Sequence, residues 1–210
     1  SRALVSVEGR ITLVSWSGSM FEYLMPLLML RSHPETLLEN ACRAAVRAQI
    51  LYGRRQGVPW GMSESAYLVQ DPQGTYQYKA FGVPGLGLKR GLAEGLVIAR
   101  YATALAAVVE AAAAAANFRR LARAGALDRF GYDEALDYTP RKTEAPDGEP
   151  APETDGLPRV RAFFAHHQGM SLVALANAVL GGPMVRRFHS DPRVQATEPL
   201  LQERVPRYVP

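Results

Sequence analysis

Alternating hydrophobic and polar positions predict two short hairpins in this chain. Between Val5 and Leu13, aliphatic residues alternate with polar ones around a Glu-Gly-Arg turn, which predicts a hairpin within residues 3–16. Residues 67–81 carry aromatic side chains on both sides of the sequence Asp-Pro-Gln-Gly, which is a turn signal. We therefore expect a second hairpin, or an extended loop, in this segment.

Helical spacing of apolar positions predicts that most of the remaining chain is α-helical. The clearest helix pattern follows Ser32, has a proline in its first turn and continues to Gly57. The same spacing predicts further helices over about residues 96–110, 111–124, 159–180 and 193–203. The expected fold class is therefore mainly α, with five or six helices and short β-hairpins.

Two segments interrupt the helical pattern for different reasons. Residues 81–92 contain four glycines, which favours a loop that packs closely on another backbone segment. The loop lacks the Lys-Ser/Thr pair of a phosphate-binding loop. Residues 140–158 are rich in proline and acidic residues and almost without apolar side chains, which predicts a flexible surface loop within the domain.

Composition narrows the classes of function. The 210 residues are 48% hydrophobic and 21% charged, which is typical of a globular domain. The net charge of +4 comes without a basic block, so we do not expect nucleic acid as a partner. A lone Cys42 excludes a disulfide framework and favours a reducing compartment. We expect no cofactor, and because the chain begins at Ser1 rather than Met, we expect it to be part of a longer protein.

Candidate chemistry lies in short segments that combine carboxylates with aromatic rings. Glu22 lies in the segment 16–23, Glu64 in 59–67, and Glu134 in 132–138, each with flanking Trp, Tyr or Phe. Flat apolar ring faces beside carboxylates are the composition of a sugar-binding cleft that holds acid–base groups. A carboxyl between such walls loses solvation, which raises its pKa and suits it to general acid catalysis.

Each of these carboxylates also has a structural interpretation that the residues alone leave open. Glu64 would cap backbone amides in a turn, and Glu22 would pair with one of the many arginines. Glu134 and Asp137 would form the charged first turn of a helix, and on a helix they would share one face.

Two adjacent histidines, followed by Gln168, interrupt an otherwise apolar helix. Neighbouring residues on a helix point about 100° apart, so His166 and His167 cannot ligate one metal ion as an i,i+4 pair can. We expect them to bind sugar hydroxyls or a catalytic carboxylate. The alternative is one structural histidine and one exposed histidine.

Several unusual sequence motifs, in their order along the chain, resemble those of a known family. The motifs SMFEYLMP, PWGMSESAY, TYQYKAFGVPGLGLKRG, EALDYTP and AFFAHHQGMSLVALANA resemble the glycoamylase-like domain of cyclic β-1,2-glucan synthases. The resemblance extends from about Leu13 to the C-terminus. It implies an (α/α)6 toroid, of which residues 1–210 would be the C-terminal half. Arg100, where the family pattern suggests proline, and Asp133, where it suggests an aromatic residue, depart from it.

The resemblance also implies an activity, transglycosylation that closes a β-1,2-glucan chain into a ring. Retention of the anomeric configuration requires two groups about 5–5.5 Å apart, whereas inverting hydrolases separate them by about 6.5–9.5 Å. We expect Glu64 and Glu134 to be this pair, with Glu22 as a third candidate. The side chains expected to bind glucose units are Trp60, Tyr67, Tyr76, Asp137, His166, His167 and Gln168.

The expected partners are a β-1,2-glucan and the other domains of a larger synthase. The expected location is the cytoplasmic side of the bacterial inner membrane, as a soluble segment of a larger membrane protein. One alternative is a hydrolase of the endo-β-1,2-glucanase type, and another is a non-catalytic module that binds glucan or supports its neighbours. Only an enzyme needs two carboxyls that converge on one point.

Overall fold

The computed structural model describes residues 4–7, 9–140 and 157–204, and this part is mainly helical, as predicted. The predicted loop at 140–158 lies almost wholly outside the described residues. Within the described part, no helix is long and apolar enough to span a membrane. The α-helices are α1 (Met20–Leu24), α2 (Leu37–Arg55), α3 (Arg100–Ala106), α4 (Ala111–Arg123), α5 (Ala165–Leu180), α6 (Pro183–Phe188) and α7 (Pro192–Thr197).

Small antiparallel sheets join these helices. Strands β1 (Leu4–Val7) and β2 (Arg10–Leu13) form the first predicted hairpin, and β3 (Ser65–Gln70) and β4 (Tyr76–Lys79) form the second. Both predictions are confirmed. The other strands are β5 (Val97–Ala99), β6 (Leu127–Asp128), β7 (Gly131–Tyr132), β8 (Ala135–Asp137) and β9 (Arg159–Val160). Of these, β5, β8 and β9 form one sheet with β8 in the centre.

Helix α2 ends where the sequence predicted, before Gly57, but it begins at Leu37 and not at the predicted start beside Ser32 and Pro34. The Thr36 hydroxyl caps the N-terminus by accepting the backbone N–H of Glu39 at 3.2 Å. At the other end, Gly57 adopts a left-handed φ of 72°, which ends the helix. The face between them is buried, and Gly53 lies directly against Trp60.

Three other helix predictions are also wrong at their ends. The helices expected over 96–110 and 159–180 are shorter, because the first residues of each segment are the buried strands β5 and β9. Instead of one helix over 193–203, the chain forms α7 followed by a 3-10 turn at Glu198–Leu201, and α6 precedes them as a helix that was not predicted. A proline begins α6 and another begins α7, and proline is tolerated only in the first turn of a helix.

The Gly-rich loop packs closely on another backbone segment, as predicted. A Cβ atom at Gly82 would lie 1.8 Å from the carbonyl oxygen of Ser17, so only glycine fits there. Backbone hydrogen bonds join the two segments, with Leu88 N donating to Ser15 O at 3.0 Å and Lys89 N donating to Trp16 O at 2.8 Å. This contact fixes the backbone just before α1.

Helix α3 lies in the centre of the core. All of its residues are buried, and it packs against α1, α4 and α5. Tyr101 is fully buried on α3, and its hydroxyl lies 2.8 Å from Ser63 Oγ. Through this contact, the central helix supports the segment that carries Glu64.

Candidate active site

The segment before Glu64 has no regular secondary structure, but two carboxamides hold it rigidly. Gln49 accepts the backbone N–H of Met62 at 2.7 Å and donates to the Met62 carbonyl oxygen at 2.8 Å. Asn117 does the same for Trp60, at 3.2 Å and 2.7 Å. Each carboxamide supplies one donor and one acceptor, as a neighbouring strand would. The backbone leading to Glu64 is therefore fixed by side chains.

Serines surround the carboxylate of Glu22. It accepts hydrogen bonds from the hydroxyls of Ser15 at 2.8 Å, Ser17 at 2.6 Å and Ser19 at 3.2 Å, and from the backbone N–H groups of Ser17 and Ser19. Ser19 and Glu22 also form a capping box at the start of α1. These serine contacts take the place of the arginine pair considered for Glu22 from the sequence.

The pKa of Glu22 is lowered by these contacts. Burial raises the pKa, but the hydrogen bonds from Ser17, Ser15 and Ser19 together outweigh it and leave the pKa below its ordinary value. Glu22 is therefore an ionised carboxylate at neutral pH, and its oxygens already have donors.

Glu64 is half-buried and lies next to Glu22. The Ser19 hydroxyl oxygen is 3.4 Å from Glu64 Oε1 and 3.2 Å from Glu22 Oε2, so these two oxygens cannot be farther apart than the sum of those distances. Burial raises the pKa of Glu64, the charge of Glu22 raises it further, and the Ser19 hydrogen bond offsets only part of this. The environments of the two neighbouring carboxyls thus shift their pKa values in opposite directions, as in acid–base sites.

Glu134 is buried, and one of its two carboxylate oxygens is paired. Oε1 lies 2.6 Å from His167 Nδ1, while Oε2 is a buried atom without a hydrogen-bond partner among the described residues. Because a carboxylate only accepts, the proton between them is assigned to Nδ1. His167 Nε2 is then an acceptor, and the Tyr78 hydroxyl lies 3.3 Å from it.

Arg100 places a cation in the same buried region. Burial lowers the pKa of its guanidinium, and the charge of Glu134 partly offsets this effect. Its Nη1 donates to Ser171 Oγ at 3.4 Å, whereas Nε and Nη2 are buried without a hydrogen-bond partner among the described residues. The buried region around Glu134 therefore holds a cation as well as a carboxylate.

Two tyrosines connect the surroundings of Glu64 with those of Glu134. Burial, then the charges of Glu64 and Glu134, raise the pKa of Tyr78 to about 12. Burial also raises the pKa of Tyr101 strongly, and the same two carboxyls add to this effect. The Tyr101 ring stacks on His167 with centroids 3.8 Å apart. Glu64 and Glu134 therefore lie around the same two tyrosines. Their pairing in a reaction and their roles stay predictions.

Three expectations do not fit their surroundings. Trp60 is 3% exposed in the core, with its Cβ next to Gly53, so its ring has no free face for a sugar. Asp137 accepts backbone N–H groups of Leu68 at 2.9 Å and Thr139 at 3.0 Å, which ties β3 to β8. Asp137 is also in a strand rather than a helix, so residues 134 and 137 do not share a face.

The other predicted sugar-binding residues lie near the hairpin β3–β4 and the start of α5. Tyr76 and His166 line one cleft, and His167 is buried behind it. His166 is exposed, whereas His167 is buried and contacts the carboxylate of Glu134, which is one of the two contacts expected from the sequence. A contact of His166 with a sugar stays a prediction. Tyr67 packs edge-on against Phe81 at 5.5 Å. Gln168 is half-buried in the first turn of α5.

Sequence reasoning missed Ser19, Tyr78, Tyr101 and Arg100 as parts of the site. Ser19 could have been found, because Ser19-x-x-Glu22 is the pattern of a capping box. Tyr101 and Arg100 gave no such signal, since both belong to a helix whose residues are all buried. Their position near Glu134 depends on the packing of α3 against α5.

A family model matches most of this chain. The Glycoamylase model, described as "Putative glucoamylase", matches residues 1–192. Over 209 residues the chain is 47% identical to the cyclic beta-(1,2)-glucan synthase NdvB of Rhizobium meliloti (strain 1021). That match covers 100% of this chain but 7% of the length of the curated relative.

Solved structures share the fold at low sequence identity. An endo-beta-1,2-glucanase from Chitinophaga pinensis, in complex with sophorotriose and glucose, is similar with a TM-score of 0.63 and 16% identity. The match covers 96% of this chain and 46% of that one. The endo-beta-1,2-glucanase from Talaromyces funiculosus, in complex with sophorose, gives a TM-score of 0.63 at 16% identity, over 95% of this chain and 37% of that one.

Proposed function

Because this chain belongs to the glycoamylase family, we propose that it is a catalytic part of an enzyme that acts on β-1,2-linked glucan by glycosyl transfer. The observation that carries the proposal is the Glu22–Glu64 pair on the Ser19 hydroxyl, in which the pKa of one carboxyl is raised and that of the other is lowered. A relative at 47% identity bears the name of a cyclic glucan synthase, which supports β-1,2-glucan as the substrate.

Glu64 is the proposed acid–base group. A carboxyl with a raised pKa keeps its proton closer to neutral pH and gives it to the leaving glycosidic oxygen. In a retaining transfer the same carboxylate then takes the proton of the attacking hydroxyl. For ring closure, that hydroxyl belongs to the same glucan chain.

Glu134 is the proposed nucleophile. His167 holds Oε1, so the unpaired Oε2 is the atom that forms a bond to the anomeric carbon while the bond to the leaving oxygen breaks. In the second step the acceptor oxygen replaces Oε2 on that carbon, and the carboxylate is restored. The side chain has no exposed surface, so a sugar reaches Oε2 only after neighbouring side chains move aside.

Glu22 supports Glu64 rather than reacting. Its oxygens are occupied by serine donors and its charge raises the pKa of Glu64. The loss of the Glu22 charge should therefore change the pH dependence of the reaction rather than abolish the chemistry.

The proposal includes the architecture and setting of the whole protein. The chain spans under half the length of the similar Chitinophaga structure, which supports the proposal that it forms one half of an (α/α)6 toroid. The half that we propose is the C-terminal one. The 7% coverage of the curated relative supports further domains in a larger synthase. A position on the cytoplasmic side of a bacterial inner membrane follows from the same family resemblance.

Incubation of the full-length protein with linear β-1,2-glucan tests the proposal. Products are separated by chromatography and their masses are determined by mass spectrometry, with a linear β-1,3-glucan as the control substrate. Rings are lighter by one water than linear chains of the same length and would support transglycosylation. Short linear products would instead support the hydrolase. Binding of the glucan without any conversion would contradict an enzyme and support the non-catalytic module.

A further inference from the structure

Aromatic side chains form half of the lining of a cleft that Tyr78 connects with the surroundings of Glu134. It lies between the hairpin β3–β4 and the start of α5, and its volume is about 600 Å³. Ligand pockets usually enclose about 300–1,000 Å³ and combine aromatic walls with a few polar groups. The side chains that line the cleft include Tyr76, Tyr78, Phe164, His166 and Arg161.

The rings around the cleft stand at steep angles to one another. Tyr78 and Phe164 meet edge to face, with centroids 5.7 Å apart and planes at 82°. The His166 ring lies 5.7 Å from Phe164 and 6.5 Å from Tyr78. Ring faces pack against the C–H groups of a pyranose, and the imidazole and phenol groups offer hydrogen bonds to its hydroxyls. A glucose unit fits this combination.

Tyr78 belongs both to the cleft and to the hydrogen-bond chain that ends at Glu134. Its ring is 45% exposed, while its hydroxyl lies 3.3 Å from the buried Nε2 of His167. The opposite nitrogen of that imidazole lies 2.6 Å from Glu134 Oε1. The Tyr101 ring, stacked at 3.8 Å, keeps the imidazole in its plane. A contact made in the cleft is therefore two hydrogen bonds away from Glu134.

We propose that this cleft is a glucose-binding subsite and that Tyr78 connects it to Glu134 through His167. The inference rests on the proposed function and adds a subsite and a positioning residue to it. The Tyr78 hydroxyl donates to Nε2, so the imidazole keeps its Nδ1 proton towards Glu134 Oε1 and leaves Oε2 for the reaction. A sugar packed on the Tyr78 ring holds the phenol in the position that makes this hydrogen bond.

Two variants of the full-length protein separate binding from positioning. Tyr78→Phe keeps the ring and removes the hydroxyl, so kcat should fall roughly 10- to 100-fold, as for other outer partners of a reacting group, while KM stays unchanged. Tyr76→Ala removes a wall of the cleft, so KM should rise roughly tenfold while kcat stays unchanged. Tyr52→Phe, in α2, is the matched control and should change neither constant. Thermal melting of each variant verifies the fold.

Each result decides the inference. An unchanged kcat in Tyr78→Phe would overturn the link to Glu134, and an unchanged KM in Tyr76→Ala would overturn the subsite. If the wild type converts the glucan while either variant behaves like it, the inference fails and the proposed function stands. If the wild type does not convert β-1,2-glucan at all, both fail together.

Discussion

At the scale of single residues, the Ser19 hydroxyl lies between two carboxyls. It accepts the backbone N–H of Glu22 at 3.3 Å as the cap of α1, and its oxygen lies within 3.4 Å of a carboxyl oxygen of both Glu22 and Glu64. A hydroxyl has one proton and so donates to one carboxylate at a time. The two carboxyls therefore compete for this donor, and Glu64, whose pKa is raised, is the one that binds a proton more readily.

Two substitutions should move the pH profile of the reaction in opposite directions. The Glu22 charge raises the pKa of Glu64 and the Ser19 hydrogen bond lowers it. Glu22→Gln should therefore shift the alkaline limb of kcat/KM to lower pH, because the general acid loses its proton earlier. Ser19→Ala should shift the same limb to higher pH. Shifts of both variants in the same direction would contradict Glu64 as the acid.

Glu64 should also reduce the stability of the fold at neutral pH. Its pKa is raised above the ordinary value of 4.5, so the unfolded chain loses this proton more easily than the folded chain. Stability is therefore lost as pH rises from about 4.5 through the folded-state pKa. Glu64→Gln should have a higher free energy of unfolding than the wild type at neutral pH, and a smaller difference below pH 4.5.

Urea denaturation of both proteins at the two pH values measures this difference. The matched control is Glu94→Gln, at an exposed position, which should leave the free energy of unfolding unchanged. A Glu64→Gln variant that is less stable than the wild type at neutral pH would show that Glu64 serves the fold.

The sequence marks the segments of the site better than the role of each residue in them. The aromatic-flanked segments around Glu22, Glu64 and Glu134 do lie together. Trp60 was misassigned because a tryptophan beside glycine fits a core as well as a cleft. Its burial depends on Gly53 and Asn117, which are distant in the chain. The contact of Tyr78 with His167 depends on the position of β4 beside α5, which the sequence does not indicate.

At the scale of elements, the close contact between the Gly-rich loop and the segment before α1 holds the Glu22 site together. A Cβ at Gly82 would lie 1.8 Å from Ser17 O, which is backbone and cannot turn aside. Gly82→Ala should therefore separate the two segments, lower the melting temperature by several degrees and reduce activity.

Gly169→Ala is the matched control for Gly82→Ala. Gly169 lies in α5, and apart from its chain neighbours and the backbone of that helix no atom of the described residues is within 4 Å of where a Cβ would lie. Alanine there should therefore be neutral or stabilise the protein by up to about 1 kcal/mol. Thermal melting and activity of both variants test the contact. Equal behaviour of the two variants would contradict it.

The elements with local signals were predictable, and those made by distant pairing were not. The two hairpins and α2 have turn residues or caps within their own sequence. The sheet of β5, β8 and β9 consists of strands of two or three residues. Such strands are too short to show a hydrophobic period, and their partners lie far away along the chain. For this reason β5 was predicted as part of a helix.

At the scale of the whole molecule, α5 presents apolar side chains to solvent. Leu172, Val179 and Leu180 are 71%, 78% and 64% exposed, on the helix whose other face packs against α3. Exposed apolar patches of this kind often mark an interface. If this chain is half of a toroid, helices from the rest of the protein cover this surface.

A charged residue on this surface tests the half-toroid. Leu172→Glu should lower the melting temperature of the full-length protein, because it would bury a charge against the covering helices. Arg119→Glu, at an exposed position of α4, is the control and should have little effect. If both variants melt like the wild type, the exposed face of α5 is not covered and this part of the proposal fails.

The central claim is that Glu64 donates a proton to the leaving group of a β-1,2-glucan, and Glu64→Gln tests it most directly. Turnover is measured in the full-length protein on linear β-1,2-glucan and on a dinitrophenyl glycoside of a β-1,2-glucooligosaccharide, whose leaving group departs without a proton. General acid catalysis contributes roughly 100- to 10,000-fold, so the variant should lose about that much on the glucan. It should still release the first equivalent of dinitrophenol rapidly, because only the second step, which uses Glu64 as a base, is slowed. Turnover of the glucan within a few-fold of the wild type, or loss of the rapid first release of dinitrophenol, would contradict the account.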